Sequence, residues 1–183
     1  MTALQDLKYG RWFRGADVDG DGFITQQDVR MMSERYIAAR RTAPDSTTAR
    51  RLTAGMDEFW TNVIAPLDRD GDGKVDLREM VEGFKQALTD PAQYPQQIEP
   101  VTNCFFDLVD LDGNGKIEQD EFQLMFNSVS GAPREDCAEV FAALDRDGSG
   151  ALDRAEFHQA VSEFFYGNDP EAPANHLFGR ITA

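Results

Sequence analysis

DVDGDGFITQQD at 17–28, DRDGDGKVDLRE at 68–79, DLDGNGKIEQDE at 110–121 and DRDGSGALDRAE at 145–156 are four versions of one twelve-residue segment. Oxygen-bearing side chains stand at positions 1, 3, 5, 9 and 12, glycine at 6, and an aliphatic residue at 8 (Ile24, Val75, Ile117, Leu152). A hard divalent cation such as Ca²⁺ takes 6–8 oxygens at roughly 2.3–2.6 Å, and this spacing supplies them. The expected ligands of the first segment are Asp17, Asp19, Asp21, Thr25 and Asp28, with the backbone carbonyl of Phe23 at position 7. The second offers Asp68, Asp70, Asp72, Asp76 and Glu79 with the carbonyl of Lys74, and the third Asp110, Asp112, Asn114, Glu118 and Glu121 with that of Lys116. The fourth offers Asp145, Asp147, Ser149, Asp153 and Glu156 with the carbonyl of Ala151. Glycine at position 6 takes a bend with positive φ that other residues resist.

The flanks repeat too. Counting back from each segment, positions −1, −4, −5 and −8 read Ala16, Phe13, Trp12, Tyr9, then Leu67, Ile64, Val63, Trp60, then Val109, Phe106, Phe105, Thr102, then Leu144, Phe141, Val140, Cys137. Each set is one face of a helix running into the loop. Positions 13 and 17 (Val29/Ser33, Met80/Phe84, Phe122/Phe126, Phe157/Val161) mark the same face of a helix leaving it. Helix, twelve-residue loop, helix, four times over, is the EF-hand pattern. The expected fold class is all-α: four EF-hands in two pairs packed into one compact globule, with short strands where paired loops meet.

The chain has 183 residues and a net charge of −15, from 18 Lys+Arg against 33 Asp+Glu. Seventeen of those acids sit at chelating positions, where crowding without a cation is repulsive, so folding and metal binding are expected to be linked. The first loop closes on Asp28 where the others have glutamate. The shorter side chain makes bidentate reach harder, which favours six-coordination and tolerance of Mg²⁺ at that site. The acidity argues against nucleic acid or an anionic membrane as partner. No apolar run is long enough to span a bilayer, and the start, MTALQDLKYGRWF, lacks the features of a signal peptide. Cys104 and Cys137 read as packed, reduced thiols and the whole as a cytoplasmic monomer. Two histidines, His158 and His176, and no nucleophile in a recognisable triad give no catalytic constellation.

Loop starts at 17, 68, 110 and 145 pair the first loop with the second and the third with the fourth. The Pro-rich DPAQYPQQIEP at 90–100 divides the chain into 1–90, the N-terminal pair, and 91–183, the C-terminal pair plus tail. Ser46-Thr47-Thr48 can cap a helix after the break at Pro44. Arg40-Arg41 and Arg50-Arg51 read as a solvated face or as partners of nearby acids. The four loops, the long first interval and the tail FFYGNDPEAPANHLFG at 164–179 resemble the sarcoplasmic calcium-binding proteins, their prokaryotic calerythrin-type counterparts and the related coelenterazine-binding proteins. That resemblance implies two pairs face to face around an aromatic core, closed by the tail. It also implies uptake of three to four Ca²⁺ by a soluble intracellular buffer or transport protein. The alternatives are a Ca²⁺-dependent sensor and a Ca²⁺-gated carrier of a hydrophobic, coelenterazine-type ligand. Against light emission, Val161 and Phe165 stand where the light-emitting members carry a His and a Trp.

Overall fold

The computed structural model describes residues 3–88, 92, 94–130 and 133–181. The boundary expected at 90/91 lies outside them. Each repeat forms as its pattern requires. Helix α1 (Ala3–Ala16) leads into the first loop and α2 (Gln26–Ala39) leaves it. Helix α3 (Thr47–Phe59) starts where expected, with the Ser46 hydroxyl accepting from the Ala49 amide at 3.1 Å. Helix α4 (Leu77–Ala87) leaves the second loop; α5 (Tyr94–Gln97) is a single turn inside the Pro-rich stretch. Helices α6 (Glu99–Val109) and α7 (Gln119–Ser130) flank the third loop, α8 (Arg134–Leu144) and α9 (Arg154–Tyr166) the fourth.

The approach to the second loop is not the regular helix the spacing suggests. Trp60–Ile64 is a π-helical turn and Ala65–Leu67 a 3₁₀ turn. Pro66 is the cause: it has no amide to donate and its ring crowds the carbonyl four residues back, so the last turns rewind around it. Ile64 stays buried, but Trp60, Val63 and Leu67 are only partly so.

Loops pair in the expected order. Strand β1 (Phe23–Ile24) runs antiparallel to β2 (Val75–Asp76), with Ile24 opposite Val75. Strand β3 (Ile117–Glu118) does the same with β4 (Ala151–Leu152), with Ile117 opposite Leu152. These four position-8 side chains are all 0% exposed, so each pairing is sealed by a buried aliphatic couple, about 1.5–3 kcal/mol per side chain.

Both pairs share one core. Rings meet across the halves: Tyr9 and Phe165 with centroids 6.1 Å apart, Phe84 and Phe165 at 5.6 Å, Phe59 and Phe105 at 6.3 Å. The tail closes this core, with Ala174 and Leu177 buried and Phe178 against Phe164 at 4.8 Å and Phe126 at 5.7 Å. A second tie joins the first helix to the last. Gln5, Lys8 and Tyr9, on one face of α1, donate to the carbonyls of Phe165, of Glu163 and Gly167, and of Phe165 at the end of α9. The Phe165 and Gly167 carbonyls have no later turn of helix to bond to, and this clasp supplies their donors, while the Glu163 carbonyl takes the Gly167 amide as well. Among the described residues no helix is long and apolar enough to cross a membrane.

Candidate metal centres

All four loops are built by closely similar hydrogen bonds. The position-1 carboxylate turns back over the loop: Asp17 accepts from Gly20 and Gly22, Asp68 from Gly71 and Gly73, Asp110 from Asn114 and Gly115, and Asp145 from Ser149 and Gly150, at 2.7–3.0 Å. Position 3 accepts from the amide of position 5 in each loop, as Asp19 does from Asp21 and Asp147 from Ser149. Asp21, Asp72 and Asn114 at position 5 accept from the amide of position 7. Ser149, the short member, accepts from the Ala151 amide at 3.4 Å and also donates to the Ala151 carbonyl at 2.9 Å. Position 4 also adopts positive φ (Gly20 at 75°, Gly113 at 73°), a bend the sequence signals with four glycines and the reading of position 6 alone overlooks.

Position 12 ties the loop shut. Glu79 accepts from the amides of Arg69 and Asp76, both at 3.0 Å, Glu121 from Leu111 and Glu118, and Glu156 from Arg146 and Asp153. Asp28, a methylene shorter, bridges the equivalent amides of Val18 and Thr25, both at 2.9 Å, so its loop closes on it with the same register. Positions 9 and 12 are also the N-cap and third residue of the exiting helix. Thr25 with Asp28, Asp76 with Glu79, and Asp153 with Glu156 form reciprocal capping boxes. In the third loop Glu121 accepts from the Glu118 amide in the same way, and the Glu118 carboxylate accepts from the Asn114 side chain at 2.8 Å.

The result is four groups whose carboxylate oxygens converge to within 4.8 Å: Asp17, Asp19 and Asp28; Asp68, Asp70 and Asp72; Asp110, Asp112 and Glu121; Asp145, Asp147 and Glu156. The remaining expected carboxylates, Asp21, Asp76, Glu79, Glu118 and Asp153, lie in the same loops but outside those tight groups among the described residues, and Thr25, Asn114 and Ser149 add neutral oxygens to the same loops. The donors are all oxygen, held by backbone amides, as a hard divalent cation needs. Charge crowding shows at Glu121, where burial and then the neighbouring Glu118 carboxyl push its own carboxyl up to about 7. The Ser149 amide, donating to Asp147 at 2.9 Å, holds that carboxyl below the usual carboxylate range.

The comparisons with known proteins come down on the same loops. An EF-hand family model matches residues 10–33, 67–85 and 105–126, and an EF-hand domain pair model matches 130–163. The probable calcium-binding protein CML16 of Oryza sativa subsp. japonica is 31% identical over 166 residues, 87% of this chain and 81% of that protein. The chain is a member of the EF-hand calcium-binding proteins. The sarcoplasmic calcium-binding protein beta chain of Penaeus sp. is 24% identical over 179 residues, 90% of each chain. The fold is that of the coelenterazine-binding protein from Renilla muelleri in its Ca-loaded apo form, with a TM-score of 0.80 at 21% identity, covering 98% of this chain and 99% of that one. These relatives are calcium-binding and ligand-binding proteins by name rather than conventional enzymes.

Outside the loops, three features escaped the sequence. A cavity of about 280 Å³ lies between the two pairs, walled by Trp12, Phe59, Val63, Phe105, Val161 and Phe165 among others. Two of these rings, Trp12 and Phe105, belong to the helical stripes that periodicity marks as core, and periodicity does not separate packing from cavity wall. His158 uses both of its ring nitrogens. Its Nδ1 lies 2.8 Å from the Tyr94 hydroxyl and its Nε2 2.9 Å from Asn103 Oδ1, which joins α5, α6 and α9. Asn103 Oδ1 can only accept, so Nε2 carries the proton and Tyr94 donates to Nδ1. Burial lowers the pKa of this imidazole, in keeping with the neutral form. Lys8 is fully buried, and no sequence pattern marks it. The His176 Nδ1 accepts from the Ile181 amide within the tail, and burial raises both cysteine thiols above their ordinary pKa.

Proposed function

We propose that this calcium-binding protein is a cytoplasmic Ca²⁺ buffer that takes up three to four ions. The ligands are the oxygens at positions 1, 3, 5, 9 and 12 of each loop and the carbonyls of Phe23, Lys74, Lys116 and Ala151. The first site, closed by Asp28, accepts Mg²⁺ as well as Ca²⁺. The observation that carries the buffer reading is the shared core. A sensor opens an adaptable groove on binding Ca²⁺, whereas here both pairs, the α1–α9 clasp and the tail bury the same rings. The chain is expected to act as a monomer without enzymatic chemistry of its own. Calorimetric Ca²⁺ titration of the chelator-stripped protein, with and without millimolar Mg²⁺ and with a surface-hydrophobicity dye followed in parallel, tests this. Three or four tight sites without new dye binding support a buffer; dye binding that appears only with Ca²⁺ overturns it in favour of a sensor.

The cavity favours a second reading, a carrier of an apolar molecule. Its walls are almost wholly hydrocarbon and aromatic, with Asn62 and Thr102 as polar exceptions. A volume of about 280 Å³ approaches the lower range of small-molecule sites. Val161 and Phe165, standing where light-emitting relatives carry His and Trp, both line it. Such a protein would hold a coelenterazine-type molecule without the groups for light emission. Titration with coelenterazine, read by its absorbance shift and by Trp12 and Trp60 fluorescence, separates the readings. Saturable binding supports the carrier, and none at micromolar protein removes it.

A further inference from the structure

The turn end of the hairpin formed by α2 and α3 inverts the charge of the rest of the chain. Residues 35–51 hold five arginines, Arg35, Arg40, Arg41, Arg50 and Arg51, against one acid, Asp45; this formal +4 leaves −19 on the other 166 residues. Four of the five are exposed and Arg40 is half-exposed. Arg69, Arg146, Arg154 and Arg180 each pair with a carboxylate elsewhere in the fold. Among the described residues none of the five does. They rest on neutral acceptors instead: Arg35 on the Val18 carbonyl at 3.4 Å, Arg40 on the Tyr36 hydroxyl at 3.4 Å, and Arg50 on the Asp45 carbonyl at 2.5 Å. Arg41 has φ 54°, alone among the described non-glycine residues in the left-handed region. It follows a helix end, where glycine is the unstrained choice. The chain keeps a guanidinium there all the same.

Two acidic loops border this hairpin. Val18, which Arg35 touches, is the second residue of the first loop. Leu111, the second residue of the third loop, lines a small cleft together with Arg40, Thr42 and Thr48. These loops carry four carboxylates each at chelating positions, so without cations eight negative charges flank five arginines. One divalent ion in each loop halves that opposition.

We propose that the arginine hairpin is a docking surface for a carboxylate-rich protein segment, made attractive when the first and third loops fill with Ca²⁺. The occupant follows from charge complementarity. Guanidinium forks pair bidentately with carboxylates, and a short acidic segment engages the hairpin alone. An anionic bilayer would face the −19 of the remaining surface as well. The switch is electrostatic, needs no groove to open, and rests on calcium binding by the loops.

The test is fluorescence anisotropy of a labelled Asp/Glu peptide of about twelve residues against the full chain at low salt, in Ca²⁺ and in chelator. It includes the combined variant Arg40→Gln/Arg41→Gln/Arg50→Gln/Arg51→Gln and the control Arg14→Gln/Arg134→Gln, both checked for unchanged Ca²⁺ uptake. The Ca²⁺ form is expected to bind about tenfold more tightly than the chelated form. The combined variant should lose about tenfold, the control should not, and salt should weaken the complex. Calorimetry on the same samples reads Ca²⁺ uptake separately, and its absence overturns the calcium-binding reading itself. Normal uptake with peptide affinity indifferent to Ca²⁺ or to the four arginines overturns the docking surface. Arginine-dependent binding to phosphatidylserine vesicles without peptide binding, or arginine-dependent dimerisation in sedimentation, overturns it in favour of a membrane or a second copy.

Discussion

Replacing Lys8 with Met should make the protein more stable. Lys8 is 0% exposed, and its ammonium donates to the carbonyls of Gly167 at 2.8 Å and Glu163 at 3.2 Å, with the Phe164 ring 5.6 Å away. Burial lowers its pKa from 10.5 to about 8, against the opposing pull of the Glu163 carboxylate. That fall corresponds to roughly 3 kcal/mol by which the charged form fares worse in the fold than in the unfolded chain. Met keeps the apolar stem and removes the charge. The Glu163 carbonyl keeps the Gly167 amide at 2.9 Å as a donor, so only the Gly167 carbonyl loses its described partner, at a cost of about 1–2 kcal/mol. The net expectation is a gain of about 1–2 kcal/mol at pH 7.

The pH dependence has a definite sign. The folded pKa lies below the unfolded one, so between about pH 8 and 10.5 the unfolded chain holds more protons and stability rises with pH. The wild-type protein should gain roughly 1.5 kcal/mol by pH 9 and about 2.5 kcal/mol by pH 10 from this group, and the Met variant should not. Urea denaturation in saturating Ca²⁺ at pH 7, 9 and 10, followed by tryptophan fluorescence, measures both. Taking the difference between the two proteins cancels the other titrating groups. A variant less stable by more than about 1 kcal/mol at pH 7, with a gap to wild type that stays constant up to pH 10, would refute the reasoning. It would mean that the two carbonyl bonds outweigh the burial of the charge.

Asp28→Glu should raise Ca²⁺ affinity at the first site and reduce its tolerance of Mg²⁺; calorimetry showing an unchanged or weaker site counts against the argument from the short carboxylate. Chelation should lower the melting temperature, because 17 of the 33 acids are crowded at chelating positions, and equal melting points with and without chelator would sink the linkage of folding to metal. Ile117→Ala, at a side chain 0% exposed opposite Leu152, should cost about 2–5 kcal/mol and weaken the third and fourth sites together. Independent loss at one site alone would show that the strand contact does not couple them.

What the sequence made legible was local. The loops and the Ser46 cap follow from residues within a dozen positions of one another, where backbone geometry leaves few alternatives, and the pairing follows from the order of the four loops along the chain. The Pro66 rewinding was legible in principle, since a proline two residues before Asp68 forbids a regular helix there. The Tyr94–His158 bond spans 64 residues, and Lys8 meets its two carbonyls across more than 150. Such contacts depend on which helices end up opposite each other, and periodicity is silent on that. It reports that Trp12 and Phe105 face inward. It does not report that a cavity of about 280 Å³ lies beyond them.

The loops also show why their affinity should depend on more than ligand count. Each position-12 carboxylate closes the loop through the amides of positions 2 and 9, and in three of the four loops it also completes the capping box of the exiting helix. Its oxygens are therefore aimed by backbone that the paired strand and the buried position-8 side chain hold in place. A carboxylate oxygen has lone pairs to spare after one such bond, so the amides orient it without consuming its capacity for a cation. The ordering of the loop is then supplied by core burial around Ile24, Val75, Ile117 and Leu152 rather than by the metal alone. Changes in that core, far from any ligand atom, should move Ca²⁺ affinity at two sites at once. Changes at positions 5 or 9, where Ser149 and Thr25 already depart from carboxylate, should move it at one.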